Sequence, residues 1–378
     1  MTDQPEFAGD ILSLFAQRGA HRVDIPVIQP ADPFLDMAGE ELRRRIFLTE
    51  SESGTSLCLR PEFTIPVCMH HIESNPTRGQ RYAYLGQVFR QRRDGDSEFY
   101  QAGIEDLGDA DIAHADAKAI TDAYDTLSAI LPKASFDTTL GDQTVFEAVI
   151  AALGLPDGWQ TRLVRAFGEP EQLDLLLQAL SRPPGQIPGL DAETAILLAR
   201  EDETALAVAI EWRMAQTGYL AGAGRAPDEI ARRLIQKARL AGAHLEPEAL
   251  DVLKTLLALE VAMPDAIGAL DMFAAKAGLD IGSALAIFER RVEALRASGF
   301  DLAAMHYRAA FGRPLDYYTG LVFEMSSSGS VLAGGGRFDR LLTLLGAQTT
   351  TPAVGFSLWL DRIAAVRGIG DGGRSKCV

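Results

Sequence analysis

A chain of 378 residues, 47% of them hydrophobic, is long enough for two or three domains with sizeable cores. Its formal net charge of -16 argues against a protein that coats nucleic acid, because that work needs Lys and Arg to neutralise phosphates. Cys58, Cys68 and Cys377 lack metal-ligand spacing and form no disulfide framework, no apolar run approaches the roughly 18 residues that span a bilayer, and the acidic N-terminus lacks a signal pattern. A reduced, cytoplasmic setting without membrane contact is the expectation.

In chain order, Phe7, Ile11, Leu14 and Phe15 share one face of a helix expected over residues 6–18, which Gly19 ends. Residues 21–28 read as a strand, with Pro26 suiting an edge or interface position because it has no N–H to donate. Short strands at 45–49 and 56–59 flank a polar turn at 50–55, and a helix is expected over 62–73. Strands at 81–91 and 98–107 are joined by a charged loop at 92–97, and Asp111 opens a helix to about Ile130. From about 156 to 299 Ala, Leu, Glu and Arg dominate, with breaks at 183–185, 222–227 and Pro264. This reads as a helical insertion in which 249–259 and 284–295 carry bundle-type periodicity and no chemistry. The β-rich texture returns at Leu315 and closes over 353–363. The expected architecture is an antiparallel α+β core in two parts, 1–150 and 305–378, split by a helical insertion over 151–304.

Four stretches are candidates for chemistry. A strand expected over 315–325 would place Tyr318, Gly320, Val322 and Glu324 on one face and Tyr317, Thr319, Leu321 and Phe323 on the other, with the Arg313 guanidinium at its entrance. Glu62 and Thr64, where a strand end runs into a helix start, suit either the receipt of a ligand ammonium group or helix capping. On the 98–107 strand, Phe99, Gln101, Gly103, Glu105 and Leu107 share a face, and Gly103 leaves room between an amide and a carboxylate. An acid and an amide among apolar neighbours need a partner, either Arg90 or Arg313 or a cationic ligand. Residues 333–339, Ala-Gly-Gly-Gly-Arg-Phe-Asp, lack the Gly-Lys-Ser/Thr of a phosphate loop. They read as a tight glycine turn entering a helix, with Arg337 facing the pocket or pairing with Asp339. The adjacent His70 and His71 diverge on a helix and do not suggest a metal site.

Taken together, Leu59-Arg-Pro-Glu-Phe-Thr64, Phe89-Arg90 with the 99–105 strand, Arg313-Pro-Leu-Asp-Tyr-Tyr318 with Val322-Phe-Glu324, the 333–339 stretch and Pro352–Phe356 through Arg362 resemble the core of the class II aminoacyl-tRNA synthetases, in particular the histidyl branch. The resemblance implies a histidine pocket on the sheet. In it Glu62, Thr64 and Gln101 hold the α-amino group, Glu105 and Tyr318 read the imidazole, Tyr317 lies alongside, and Arg313 sits near the carboxylate. Arg90, Trp359 and Arg362 would mark a vestigial nucleotide site: Arg90 stands where an ATP phosphate contact is made, and Trp359 replaces a glycine that lies against the nucleotide. Arg92 stands where the family carries a glutamate, Phe338 replaces a tyrosine, and the 89–101 loop is short. Only 16 residues follow Arg362, so an anticodon-binding domain of about 100 residues is not expected.

An intact amino-acid pocket beside damaged nucleotide and tRNA equipment resembles the synthetase-like regulatory subunits of ATP phosphoribosyltransferase. That family implies no catalysis, no cofactor and no tRNA. It implies a homodimer within a hetero-oligomer with the short-form catalytic subunit, and L-histidine as effector in this pocket or at the subunit interface. The alternatives are a truncated histidyl-tRNA synthetase or related ATP-dependent amino-acid-activating enzyme, and a binding-only sensor for another partner.

Overall fold

The computed structural model describes residues 4–37, 40–76, 78–93, 96–183, 189–216, 226–313, 315 and 317–370. Pro314, Asp316 of the expected strand, Asp94 and Gly95 of the charged loop, the breaks at 184–185 and 222–225, and Cys377 lie outside the described residues.

The chain divides into two compact units, the first comprising residues 1–148, 167–169 and 256–378 and the second 149–166 and 170–255. The first unit opens with α1 (Ala8–Gln17), β1 (His21–Arg22), β2 (Ile28–Pro30), α2 (Asp32–Met37), α3 (Glu40–Arg43), β3 (Leu48–Glu50) and β4 (Ser56–Leu59). Then come α4 (Thr64–Ser74), β5 (Gln80–Phe89), β6 (Glu98–Leu107), α5 (Ile112–Ile130), β7 (Asp137–Asp142) and the first part of α6 (Gln143–Ala152). The second unit contains α7 (Asp157–Arg165), α8 (Pro170–Leu180), α9 (Ala192–Ala199), α10 (Glu203–Gln216), α11 (Pro227–Gly242) and most of α12 (Pro247–Leu257). The first resumes with β8 (Glu260–Ala262), α13 (Met263–Ala277), α14 (Gly282–Ala297), β9 (Met305–Arg308), β10 (Leu321–Ser327), β11 (Ser330–Arg337), α15 (Leu341–Leu344), β12 (Ala353–Trp359) and α16 (Leu360–Gly370).

Nine strands form one sheet in the order β1-β5-β6-β12-β11-β10-β7-β9-β8, antiparallel except at the β1–β5 and β7–β9 pairs. A separate three-stranded sheet runs β2-β4-β3. The expected 21–28 strand breaks into β1 and β2 because Pro26 cannot donate to a ladder. The carbonyls of Ile25 and Pro26 instead accept from the buried Arg60 guanidinium. Tyr82, Tyr84, Val322 and Trp359 lie in the apolar cluster on one face of the large sheet, here called the front, together with Phe63 and Val67 from the start of α4. Helices α1 and α5 pack on the back, where the Phe15 and Phe356 rings meet edge to face at 5.8 Å.

The second unit has its own small core, Leu198, Leu206, Ala231 and Ile235, where α9, α10 and α11 meet. Within it the Trp159 indole donates to the Leu240 carbonyl at 2.9 Å. This helical unit ends near residue 255, well before the expected boundary at 304. The reason is that β8 pairs with β9 in the large sheet, and α13 and α14 pack on the sheet unit rather than on the helices before them.

The back of the sheet holds a buried ion cluster. Arg291 on α14 donates through Nε to Asp116 on α5 at 2.6 Å and through Nη1 to Asp142 at the end of β7. Arg337 at the end of β11 donates to Asp116 at 2.6 Å and to Asp339 at 2.7 Å. Removing one partner from such a cluster leaves charges buried without compensation. Arg291→Met is therefore expected to cost about 3–5 kcal/mol, read from urea denaturation midpoints.

Candidate functional site

The front face of the sheet carries a cavity of about 120 Å³ lined by Glu62, Thr64, Arg90, Gln101, Glu105, Arg313, Tyr317, Tyr318 and Trp359 among others. On the same measure one water needs roughly 10–15 Å³, so the space accommodates one small polar molecule. Of the ten residues named from the sequence, Arg362 alone does not line it.

Each wall follows from local structure. On β6, Gln101 and Glu105 project to the front from alternate positions, and both are buried. Glu62 precedes α4, whose N-cap residue Phe63 makes no side-chain capping bond. Instead the Glu62 carboxylate accepts from the Thr64 and Ile65 amides at 2.6 and 2.9 Å, so it caps the helix while also lining the cavity. The Thr64 hydroxyl donates to Glu105 at 2.8 Å. Burial pushes the Glu105 carboxyl well above the ordinary carboxylate range, and neighbouring Glu62 pushes the same way against the Thr64 and Tyr84 hydroxyls. Glu62 is also raised by burial, opposed by its two backbone hydrogen bonds and by Arg90. The Gln101 Oε1 atom is buried and has no hydrogen-bond partner.

Tyr317 and Tyr318 do not sit in a strand. β10 starts only at Leu321, and the preceding residues are held as a turn: the Tyr318 amide donates to Leu315 O at 3.3 Å and the Thr319 amide to Arg337 O at 2.8 Å. The period-2 assignment of opposite faces therefore fails for this pair. Both rings are buried, 5.2 Å apart, and both line the cavity. Burial lifts the Tyr318 phenol to about 12.

The 333–339 stretch is likewise no glycine turn, since residues 333–336 run through the middle of β11. The glycines make the cavity floor. A β-carbon at Gly334 would overlap the Arg313 guanidinium, and one at Gly336 would lie 2.6 Å from Leu321 O and 2.9 Å from the Tyr318 ring. Gly355, the cross-strand partner of Gly336, has no room for a β-carbon beside the Glu105 carboxylate. The space over Gly103, expected to be open to a ligand, is filled by its cross-strand partner Tyr84, which stacks on Phe63 at 4.3 Å and shares a hydrogen bond of 2.7 Å with Ser357. Sequence reading missed Gly334, Gly355, Leu42 and Arg45 as cavity residues. Only the Gly334/Gly336 alternation within a β-rich segment offered a signal.

At the other end of the cavity the cationic groups have partners within the protein, except that the Arg313 Nε is buried without one. Arg90 donates to Pro61 O at 2.7 Å, and burial lowers its guanidinium to about 10. The Arg313 and Arg362 guanidinium carbons lie 5.2 and 5.0 Å from the Trp359 ring centroid. Arg362 donates to Val331 O at 2.9 Å, and Arg313 pairs with Glu324 at 3.4 Å. Arg92 lies over Phe99 at 3.6 Å and pairs with Asp361 at 3.3 Å. Among the described residues no His, Cys, Asp and Glu side chains group to hold a metal ion, and no helix is long and apolar enough to cross a membrane.

An antiparallel sheet with a glycine-floored polar pocket on one face and helices on the other is the class II aminoacyl-tRNA synthetase fold. A solved structure from Bacillus halodurans, described as an ATP phosphoribosyltransferase regulatory subunit/histidyl-tRNA synthetase, superposes with a TM-score of 0.66 at 20% identity over 97% of this chain and 83% of that one. A histidine–tRNA ligase subunit from Alicyclobacillus acidocaldarius gives 0.58 at 22% identity over 98% and 96%. The family model described as histidyl-tRNA synthetase matches residues 3–211 and 222–363. Among sequence relatives, the ATP phosphoribosyltransferase regulatory subunit of Agrobacterium fabrum is 61% identical over 370 residues, 97% of this chain and 98% of the relative. That of Rhizobium meliloti is 62% identical over 364 residues, 95% and 96% respectively. The chain belongs to the histidyl-tRNA synthetase family, in the branch formed by the ATP phosphoribosyltransferase regulatory subunits.

Proposed function

We propose that this chain is a non-catalytic regulatory subunit of ATP phosphoribosyltransferase. It assembles as a homodimer into a hetero-oligomer with the short-form catalytic subunit, which depends on it for activity in the first step of histidine biosynthesis. L-Histidine in the front-face pocket conveys feedback inhibition. The observation that carries this reading is the unpartnered, buried Gln101 Oε1 on a wall shared with two buried acids. An acceptor and two carboxylates in one small cavity select a ligand rich in N–H donors and bearing positive charge.

In this reading Glu62, Thr64 and Gln101 receive the α-ammonium group. Glu105 and Tyr318 take the imidazole nitrogens with Tyr317 against the ring, and Arg313 faces the carboxylate. The Trp359–Arg362 stack occupies ground that a nucleotide would need, which supports a pocket that binds an amino acid without activating it. Feedback then requires only that histidine bind more tightly to the inhibited arrangement of the assembly than to the active one.

The test is a calorimetric titration of L-histidine into the purified chain at pH 7, in buffers of different ionisation enthalpy. An N–H donor beside Glu105 favours its ionised form, so binding is expected to release a proton from a carboxyl that burial holds above its ordinary range. The apparent enthalpy should vary with the buffer, and that variation should shrink in Glu105→Gln. Absence of histidine binding removes the pocket from the scheme, and robust histidine-dependent ATP–pyrophosphate exchange removes the non-catalytic assignment.

A further inference from the structure

The ion cluster on the back of the sheet is tied to the pocket wall at a short segment, residues 317–320. Hydrogen bonds at Thr319 and Gly320 anchor it. The Thr319 amide donates to the carbonyl of Arg337 at 2.8 Å, and the Thr319 hydroxyl accepts from the Asp339 amide at 3.1 Å. Asp339 accepts from the Ala353 amide at 2.8 Å, which joins β12 to the same point. On the other side, the Gly320 carbonyl accepts from the Gln143 amide at 3.0 Å, directly after Asp142. Both anchors end in the cluster: Arg337 and Asp339 on one side and Asp142 on the other, joined through Asp116 and the single Arg291 side chain.

We propose that this cluster is a latch that sets where Tyr317 and Tyr318 stand over the pocket, and that Arg291 and Thr319 are positioning residues for the ligand although neither lines the cavity. The geometry favours this over a purely structural role. A turn lacks the ladder that would hold a strand, so beyond the Tyr318 amide's bond to Leu315 O its two tyrosines rest on the few bonds at 319 and 320. Those bonds lead to Arg337, Asp339 and Asp142, none of which lines the cavity. Arg291 bridges two carboxylates with separate nitrogens, a role suited to the planar guanidinium and not to the single point charge of lysine. Arg291 also sits on α14, in the stretch that sequence texture assigned to the helical insertion, which gives that part of the chain a duty in the sheet unit.

The latch is read from the network itself, whereas its effect on affinity rests on histidine occupying the pocket; the experiment separates the two. Hydrogen exchange is measured by NMR on the unliganded parent chain and on Thr319→Val, Thr319→Ser and Arg291→Lys, followed by L-histidine titration of each. In Thr319→Val and Arg291→Lys the amides of Thr319 and Gln143 are expected to exchange at least about tenfold faster than in the parent, the loss of roughly one hydrogen bond of local protection. The amides of β5 and β6 should stay as slow as before. The histidine dissociation constant should rise about tenfold in the same two variants and return close to the parent value in Thr319→Ser, which restores the hydroxyl. Unchanged exchange at Thr319 and Gln143, or parental affinity in folded Thr319→Val and Arg291→Lys, overturns the latch. If the parent itself does not bind histidine, the pocket assignment falls, and the exchange rates alone still decide whether the latch exists.

Discussion

Glu105→Gln is expected to weaken L-histidine binding strongly at pH 7 while making the unliganded protein more stable. The side chain is 1% exposed and is met only by hydroxyl donors, with no cation in contact. Its carboxyl is therefore raised well above the ordinary value. A carboxyl whose folded value is raised imposes no penalty below its unfolded value, near 4.3. The penalty grows as pH climbs above that point and levels off once pH passes the folded value. Glutamine keeps the shape without the charge, so the gain in stability should be absent at pH 4 and appear as pH rises, reaching about 1–3 kcal/mol. The same substitution removes the charge-assisted bond to the ligand, and a loss of at least about a hundredfold in affinity is expected. Calorimetry and thermal melts between pH 4 and 8 read both effects. Stability that falls in Glu105→Gln at pH 8 would mean the carboxylate has a partner the geometry does not show.

Gly355→Ala is expected to have a still larger effect on the fold. Its β-carbon would stand within the Glu105 carboxylate and 2.7 Å from the backbone oxygen of Ile104. Glu105 cannot swing away freely, because Thr64 holds it and the cavity is small. Relief requires β12 to separate from β6, which are paired in the centre of the sheet through Gly355 and Glu105 themselves. Overpacking of this kind costs about 1–3 kcal/mol, and forced movement of a central strand pair places it at or beyond the upper end. Gly334→Ala is the useful contrast, since the group it meets is the end of the Arg313 side chain. That variant should fold, displace Arg313 and weaken ligand binding with little loss of stability. Urea denaturation and histidine titration of the two variants distinguish a floor that holds the sheet from one that only shapes the pocket.

Much of this site is legible in the amino-acid sequence. The 98–107 strand matches β6, so period-2 spacing alone put Gln101 and Glu105 on one face. Glu62 was open between capping and ligand contact, and the fold gives it the first role while placing it where it can also take the second. What stayed hidden depended on pairings distant in sequence. Nothing local says that Tyr84 lies across from Gly103, or Gly355 across from Gly336. Arg337 was read as facing the pocket or pairing with its neighbour Asp339. Its further carboxylate partner, Asp116, lies 221 residues earlier. Tyr317 and Tyr318 were misassigned because aromatic, β-branched composition marks a buried segment whether or not it pairs in a ladder. The end of the insertion was misplaced for a similar reason, since α13 and α14 carry an ordinary helical pattern that does not say which neighbour they pack against.

The double duty of Glu62 decides how relatives of this chain should be compared. Its carboxylate closes the first turn of α4, so a relative that has stopped binding any ligand still gains from an acceptor there that starts the helix. Finding glutamate at that position is therefore uninformative about recognition. Gln101 is the opposite case: its side-chain oxygen bonds to nothing within the fold, and an apolar residue of similar size would relieve a buried, unsatisfied acceptor. Wherever selection for the ligand lapses, this position should drift first. A survey that scores position 101 and ignores position 62 would sort sensing members of the branch from silent ones.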